Sequence, residues 1–182
     1  MLSEPRPQES GGFAVSTAPL RPQLRLVYPS CVYTRRKGMP EHRFRVLNIP
    51  RSVYEGMLWH ALAEQPLECC GLLAGIIRAD GIGEVRLRYP LLNAAASPVE
   101  FESEPQSHFS ADRDIRRQGL EVLAIYHSHP ISAPVPSRKD LERSWSADVV
   151  NFIVSLTTTP PTVRAWWLST EAYHEAEWAI QT

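Results

Sequence analysis

The sequence predicts an α+β fold, a mixed and largely antiparallel sheet flanked by helices. Three observations carry this expectation. Segments that alternate like strands, or run apolar for a short stretch, are interleaved with segments of helical spacing. They do not follow the strict strand–helix–strand repeat of a doubly wound parallel sheet. Hydrophobic residues make up 43% of the 182 positions and charged residues 21%, enough for one domain to bury a core without disulfide staples.

Residues 43–49 alternate as a strand. Pro50 presets the backbone for a first helical turn, and Val53, Met57, Leu58, Ala61 and Leu62 follow at helical spacing. Gln65-Pro66 ends that helix. The run CCGLLAGII at 69–77 is continuously apolar, the mark of a strand covered on both faces. Cys69 and Cys70 are expected there as small core residues, and Gly71 marks a close approach or a tight packing contact. After an Asp80-Gly81 turn signal, 83–89 alternates as the second arm of a hairpin. Residues 91–106 are irregular, with a short strand expected at 99–102. A helix follows over 107–118, and Gly119 is placed to cap its end.

The strand 120–127 then leads into the loop SHPISAPVP and a helix over 137–145. Strands at 151–156 and 163–169 and an edge strand at 176–180 complete the pattern. Trp166 and Trp167 are successive residues of a strand, so one ring is expected in the core and the other at the surface.

The first 40 residues read differently. They hold six of the 16 prolines, six basic residues and two acidic ones, while the remainder is net acidic. With no periodicity, this stretch cannot offset its ordering entropy, and 1–40 is expected to be a disordered, Pro-rich basic leader before a folded domain at 41–182. Residues 24–34 are the one part suited to an extended strand, and Met39 is a candidate natural start. Net charge −1 and a pI of about 6.6 argue against a nucleic-acid binder. No apolar run reaches the roughly 18 residues of a membrane span, and three cysteines make no disulfide framework. A soluble cytoplasmic protein is the expectation. Gly-rich phosphate loops, the helical zinc-protease pair and the Pro-Cys-x-x-Cys ligands of zinc deaminases are all missing from the sequence.

The densest chemistry is His127-Ser128-His129-Pro130, closing an apolar strand. Residues i and i+2 of an extended chain share a face about 6.5–7 Å apart, so two imidazoles can converge on one metal ion. Asp140, after a loop stiffened by Pro130, Pro134 and Pro136, is the natural third ligand. Two histidines, one carboxylate and an open fourth position make a catalytic zinc arrangement. The plainer reading of each part stands beside it: a strand-end histidine pair bonded to backbone, and a Ser137-x-x-Asp140 helix start. A capping Ser137 can still offer its hydroxyl to a ligand.

Taken together, His127-x-His129-Pro, six further residues and Ser137-x-x-Asp140 resemble the signature of the JAMM (JAB/MPN-type) metalloproteases, in a compact prokaryotic-type form. The resemblance covers about residues 44–180. It implies a JAB/MPN-like, cytidine-deaminase-like architecture, and it adds Glu68, which opens the strand after the first helix. By this resemblance 41–182 is a metallopeptidase domain holding one Zn²⁺ through His127, His129 and Asp140. Glu68 would take the proton of the attacking water and return it to the departing amine, and Ser137 would help hold the oxyanion. Members of the family cut ubiquitin or ubiquitin-like proteins after a C-terminal Gly-Gly, and the short forms act on ubiquitin-like and sulfur-carrier proteins. Two other readings remain at this point: a non-catalytic scaffold of the same fold, and an amidase using the same site on a small molecule.

Overall fold

The computed structural model describes residues 42–144 and 146–181. The expectations for the leader 1–40, for the strand at 24–34 and for Met39 lie outside the described residues.

The elements run β1 (Val46–Pro50), α1 (Arg51–Ala63), β2 (Cys70–Ile77), β3 (Ile82–Leu91), α2 (Pro105–Arg117), β4 (Glu121–His129), α3 (Arg138–Glu142), β5 (Val150–Ser155), β6 (Thr162–Leu168), β7 (Tyr173–Glu175) and β8 (Glu177–Gln181). All the strands join one sheet in the order β7-β6-β5-β4-β2-β3-β1-β8. Pairing is antiparallel for β2 with β3, β2 with β4, β5 with β6 and β6 with β7. It is parallel for β1 with β3, β1 with β8 and β4 with β5. The sheet is therefore mixed, as expected, and α3 lies in the crossover that a parallel β4/β5 pair requires.

The alternation of side chains along β2 separates two cores. Cys69 and Leu73 join Val53, Met57 and Ala61 of α1 together with Tyr126 and Phe152. Cys70, Leu72 and Ala74 join Ala111 and Ile115 of α2. A third, small cluster of Ile153, Trp166 and Leu168 lies beneath Val135 and Leu141 of the α3 region. Both cysteines are buried and free, as their sequence setting suggested.

Four expectations need correction. Residues 99–102 form no strand: the segment stays irregular, closed by a single bridge between Asn93 and Ser103. The helix expected over 107–118 begins at Pro105, because the Glu104 side chain accepts the N–H groups of Gln106 and Ser107 and caps it there. The helix expected over 137–145 is one short turn ending at Glu142. Trp166 is not a surface ring. Like Trp167 it is only 4% exposed, since the loop after β4 and α3 covers that face of β6. Gly119 does end α2, with φ +66°, and the Leu120 N–H reaches the Ile115 carbonyl.

Gly71 is a packing contact. A Cβ there would meet the ring and hydroxyl of Tyr126 at 2.4–2.5 Å. That ring is fully buried, and its hydroxyl is held by Arg88 (3.0 Å) and His60 (2.9 Å), so it has nowhere to go. Gly71→Ala is expected to destabilise the fold by about 1–3 kcal/mol, the usual cost of overpacking, measured by urea unfolding. An unchanged midpoint would show that Tyr126 can move aside.

Candidate metal centre

β4 extends two residues further than its apolar run, so that both His127 and His129 lie in the strand and side by side on one face. Their backbones are fixed by the parallel register of His127 with Ile153 and His129 with Ser155, and the Leu156 N–H donates to the His129 carbonyl. The hydroxyl of Ser128, on the opposite face, accepts the Cys69 N–H at 2.8 Å and ties β4 to the residue next to Glu68.

The loop after Pro130 is held down from the sheet. Ser155 Oγ donates to the Ser132 carbonyl at 2.7 Å, and Trp166 Nε1 donates to the Pro134 carbonyl at 2.9 Å. His129 Nδ1 donates to the Ala133 carbonyl at 2.8 Å, which leaves Nε2 as the lone-pair nitrogen. Nδ1 of His127 has no hydrogen-bond partner, so Nε2 carries that ring's polar contacts. The Phe101 ring stacks on the His127 imidazole at 4.6 Å between centroids. Ser137 then caps α3 in a reciprocal box: its Oγ accepts the Asp140 N–H at 3.3 Å, and Asp140 Oδ2 accepts the Ser137 N–H at 2.7 Å. The capping reading and the ligand reading of this pair are thus both satisfied by one geometry.

The three expected ligands come together. His127 Nε2 lies 3.2 Å from His129 Nε2 and 3.4 Å from Asp140 Oδ1, and His129 Nε2 lies 3.6 Å from Asp140 Oδ2. A tetrahedral ion with bonds of about 2.0–2.2 Å needs ligand separations of about 3.3–3.6 Å. The His127–His129 and His127–Oδ1 separations are close to that spacing, while the His129 contact is to the other carboxylate oxygen, Oδ2. The three side chains are the one group of three or more that could hold a metal ion among the described residues.

The electrostatics agree with this arrangement. Burial pushes the Asp140 carboxyl up, but the adjacent imidazoles of His127 and His129, which favour the carboxylate when either carries the shared proton, together with Ser137, outweigh it and hold the group well below the usual carboxylate range. Burial keeps His127 neutral. Burial also works against charge on His129, but there Asp140 and the Ala133 carbonyl prevail and raise its pKa. Glu68 sits at the mouth of β2, 4% exposed. Burial, reinforced by the charges of Asp140 and Glu100 and opposed by those of His129 and Lys139, pushes its carboxyl up to about 7. A carboxyl so placed is matched to accepting and returning a proton near neutrality.

Sequence reasoning did not single out Phe101, Ser128 or a holding role for Trp166. Ser128 lay inside the motif but faces away from the metal side, and the other two reach the site only through long-range packing.

The comparisons with known proteins give the family. Residues 50–169 match the model of prokaryotic homologs of the JAB domain. A protein of Thermus thermophilus named as a probable TtuB-protein conjugate cleaving protease is 38% identical over 109 residues, 59% of this chain and 70% of its own. A desampylase of Pyrococcus furiosus is 33% identical over 126 residues, 69% of this chain and 84% of its own. A CysO-cysteine peptidase of Mycobacterium tuberculosis is 29% identical over 110 residues, 60% and 73% respectively. The solution structure of a protein from Desulfitobacterium hafniense superposes with a TM-score of 0.68 at 29% identity, covering 74% of this chain and 92% of that one. With the fold and two thirds of its length in agreement, the chain belongs to the prokaryotic JAB-domain family.

Proposed function

We propose that this protein is a zinc-dependent isopeptidase that hydrolyses the bond after the C-terminal Gly-Gly of a ubiquitin-like or sulfur-carrier protein. The observation that carries this reading is the convergence of His127, His129 and Asp140, whose polar atoms approach to 3.2–3.6 Å, on the same sheet end as the buried Glu68. The relatives support the substrate class, being named for TtuB-protein conjugates, desampylation and CysO-cysteine. No described helix is long and apolar enough to cross a membrane. A cytoplasmic setting belongs to the same reading, and the free thiols of Cys69 and Cys70 suit its reducing conditions.

One Zn²⁺ held by His127, His129 and Asp140 would supply Lewis acidity to the attacking water and the scissile carbonyl. The remaining steps belong to the chain. Glu68 takes the proton of the attacking water on its carboxylate and returns it to the departing amine, closing the proton balance. Ser137 Oγ accepts the Asp140 N–H, and its hydroxyl would donate to the developing oxyanion. The carbonyl of Ala133 fixes the His129 ring so that its Nε2 stays directed at the site.

The decisive assay is intact-mass spectrometry on whole ubiquitin-like and sulfur-carrier proteins bearing a peptide or an amine conjugate after Gly-Gly. Cleavage after the second Gly is expected; a zinc-loaded protein that cuts none of the panel but hydrolyses small amides would overturn the reading. His129→Ala should lose both bound zinc and activity, read by elemental analysis beside the assay; retained zinc would refute the ligand assignment. Glu68→Gln should keep its zinc and lose turnover by about 10²–10⁴-fold, and a metal-free variant would make Glu68 a ligand instead. Ser137→Ala should lower turnover by about 10²–10³-fold and, through the lost cap, stability by about 0.5–2 kcal/mol. A stability loss with full turnover would leave Ser137 a cap alone.

A further inference from the structure

Glu68 is gripped through its backbone on both sides by the irregular segment 93–103. Its N–H donates to the Ser97 carbonyl at 2.9 Å, and its carbonyl accepts Asn93 Nδ2 at 2.8 Å. The same Nδ2 donates to the Glu100 carbonyl at 3.2 Å, while Asn93 Oδ1 accepts the N–H groups of Ala95 and Glu102, each at 3.0 Å. Two donors and two lone pairs are all that a carboxamide has, and here every one is used. The base of the segment is closed by Ala94 N–H to the Glu102 carbonyl at 2.7 Å and Glu104 N–H to the Leu92 carbonyl at 2.8 Å.

Its far side is tied to the metal ligands. The Glu100 carboxylate accepts Lys139 Nζ at 3.0 Å and Arg143 Nη2 at 3.2 Å, from residues on either side of Asp140. Phe101, next in sequence, stacks on His127. The segment thus runs as a strap from the backbone of Glu68 to the helix and strand that carry the metal ligands.

We propose that Asn93 is a positioning residue: its carboxamide locks this strap to the Glu68 backbone and so sets where the carboxylate stands relative to His127, His129 and Asp140. The inference rests on the reading of Glu68 as the general base. General-base transfer works only within about 2.6–3.2 Å of the proton, and a misplacement of about 1 Å costs on the order of 10²-fold in rate. Glu68 is therefore sensitive to the set of its backbone. Asn93 is the single side chain that holds the Glu68 carbonyl and both arms of the strap at once.

The test compares zinc-loaded wild type, Asn93→Ala, Asn93→Asp and Glu68→Gln, alone and combined, on a ubiquitin-like carrier extended by a peptide after Gly-Gly. Asn93→Asp keeps both acceptor bonds to Ala95 and Glu102 and loses the two donations, so the turn survives without the link to Glu68. Both Asn93 variants should keep one zinc per chain and lose about 10- to 100-fold in kcat with KM within about two-fold. Neither should cost further rate in the Glu68→Gln background. Full kcat in Asn93→Asp, a change confined to KM, or an additive loss in the double variant would overturn the proposal.

Amide hydrogen exchange on the same proteins gives a readout independent of substrate. The Glu68 N–H should exchange faster in both Asn93 variants than in wild type. A wild type that leaves the carrier uncut refutes the isopeptidase reading; equal protection of the Glu68 N–H in wild type and Asn93→Ala refutes the positioning role.

Discussion

Two imidazole nitrogens and a carboxylate, held 3.2–3.6 Å apart inside the protein, form an arrangement that a chain does not adopt for its own stability. Each group is taken out of water at a cost. A metal ion bound there would offset that cost, and the framework holds the atoms together without one. Much of the local structure follows from this constraint. The parallel β4/β5 register sets the histidine backbones, the Ala133 carbonyl sets one ring and Phe101 covers the other. The capping box of α3 sets the carboxylate.

The α3 box shows how few residues this takes. A helix of five residues gains little from propagation, and α3 has no fully buried residue, though the Asp140 side chain is only 9% exposed. What fixes it is the reciprocal bonding of Ser137 and Asp140 at one end and the Lys139 and Arg143 ion pairs to Glu100 along its side. Those ion pairs are half-exposed and individually weak. Their value lies in geometry, since both converge on one carboxylate beside the ring that covers His127. The ordinary device for starting a helix thereby delivers a carboxylate and a hydroxyl to the same spot as the two histidines.

That His127, His129 and Asp140 come together was legible in the sequence because the pattern is local: a two-residue spacing in a strand and a three-residue spacing at a helix start each fix relative direction. The strands, too, were legible as strands, since alternation and apolar runs report burial directly. Partners were not. Nothing in EWAIQ says that it lies parallel to β1, and the three exposed residues of β7 carry no pattern at all. Trp166 failed for the same reason: alternation places it opposite Trp167 but cannot say that the loop after β4 folds over that face. The irregular segment 91–106 was legible only as irregular. Its order comes from one carboxamide bonded at four points, and no local pattern marks an asparagine for that work.

Alternation along β4 also divides labour between the two sides of the sheet. His127 and His129 face the side of α3, where charge and solvent access are needed. Tyr126 and Ser128 face the side of α1, where they anchor the strand: the Tyr126 hydroxyl lies between Arg88 and His60, and Ser128 holds Cys69. Arg88 can only donate, so the hydroxyl hydrogen goes to His60 Nδ1, which must therefore be unprotonated. Burial and the charge of Arg88 both favour that neutral form. The strand is fixed from behind by a network that carries no metal ligand, one residue out of phase with the ligands it positions. A substitution at Tyr126 or Gly71 thus acts on the site through the angle of β4, without replacing His127, His129, Asp140, Glu68 or Ser137.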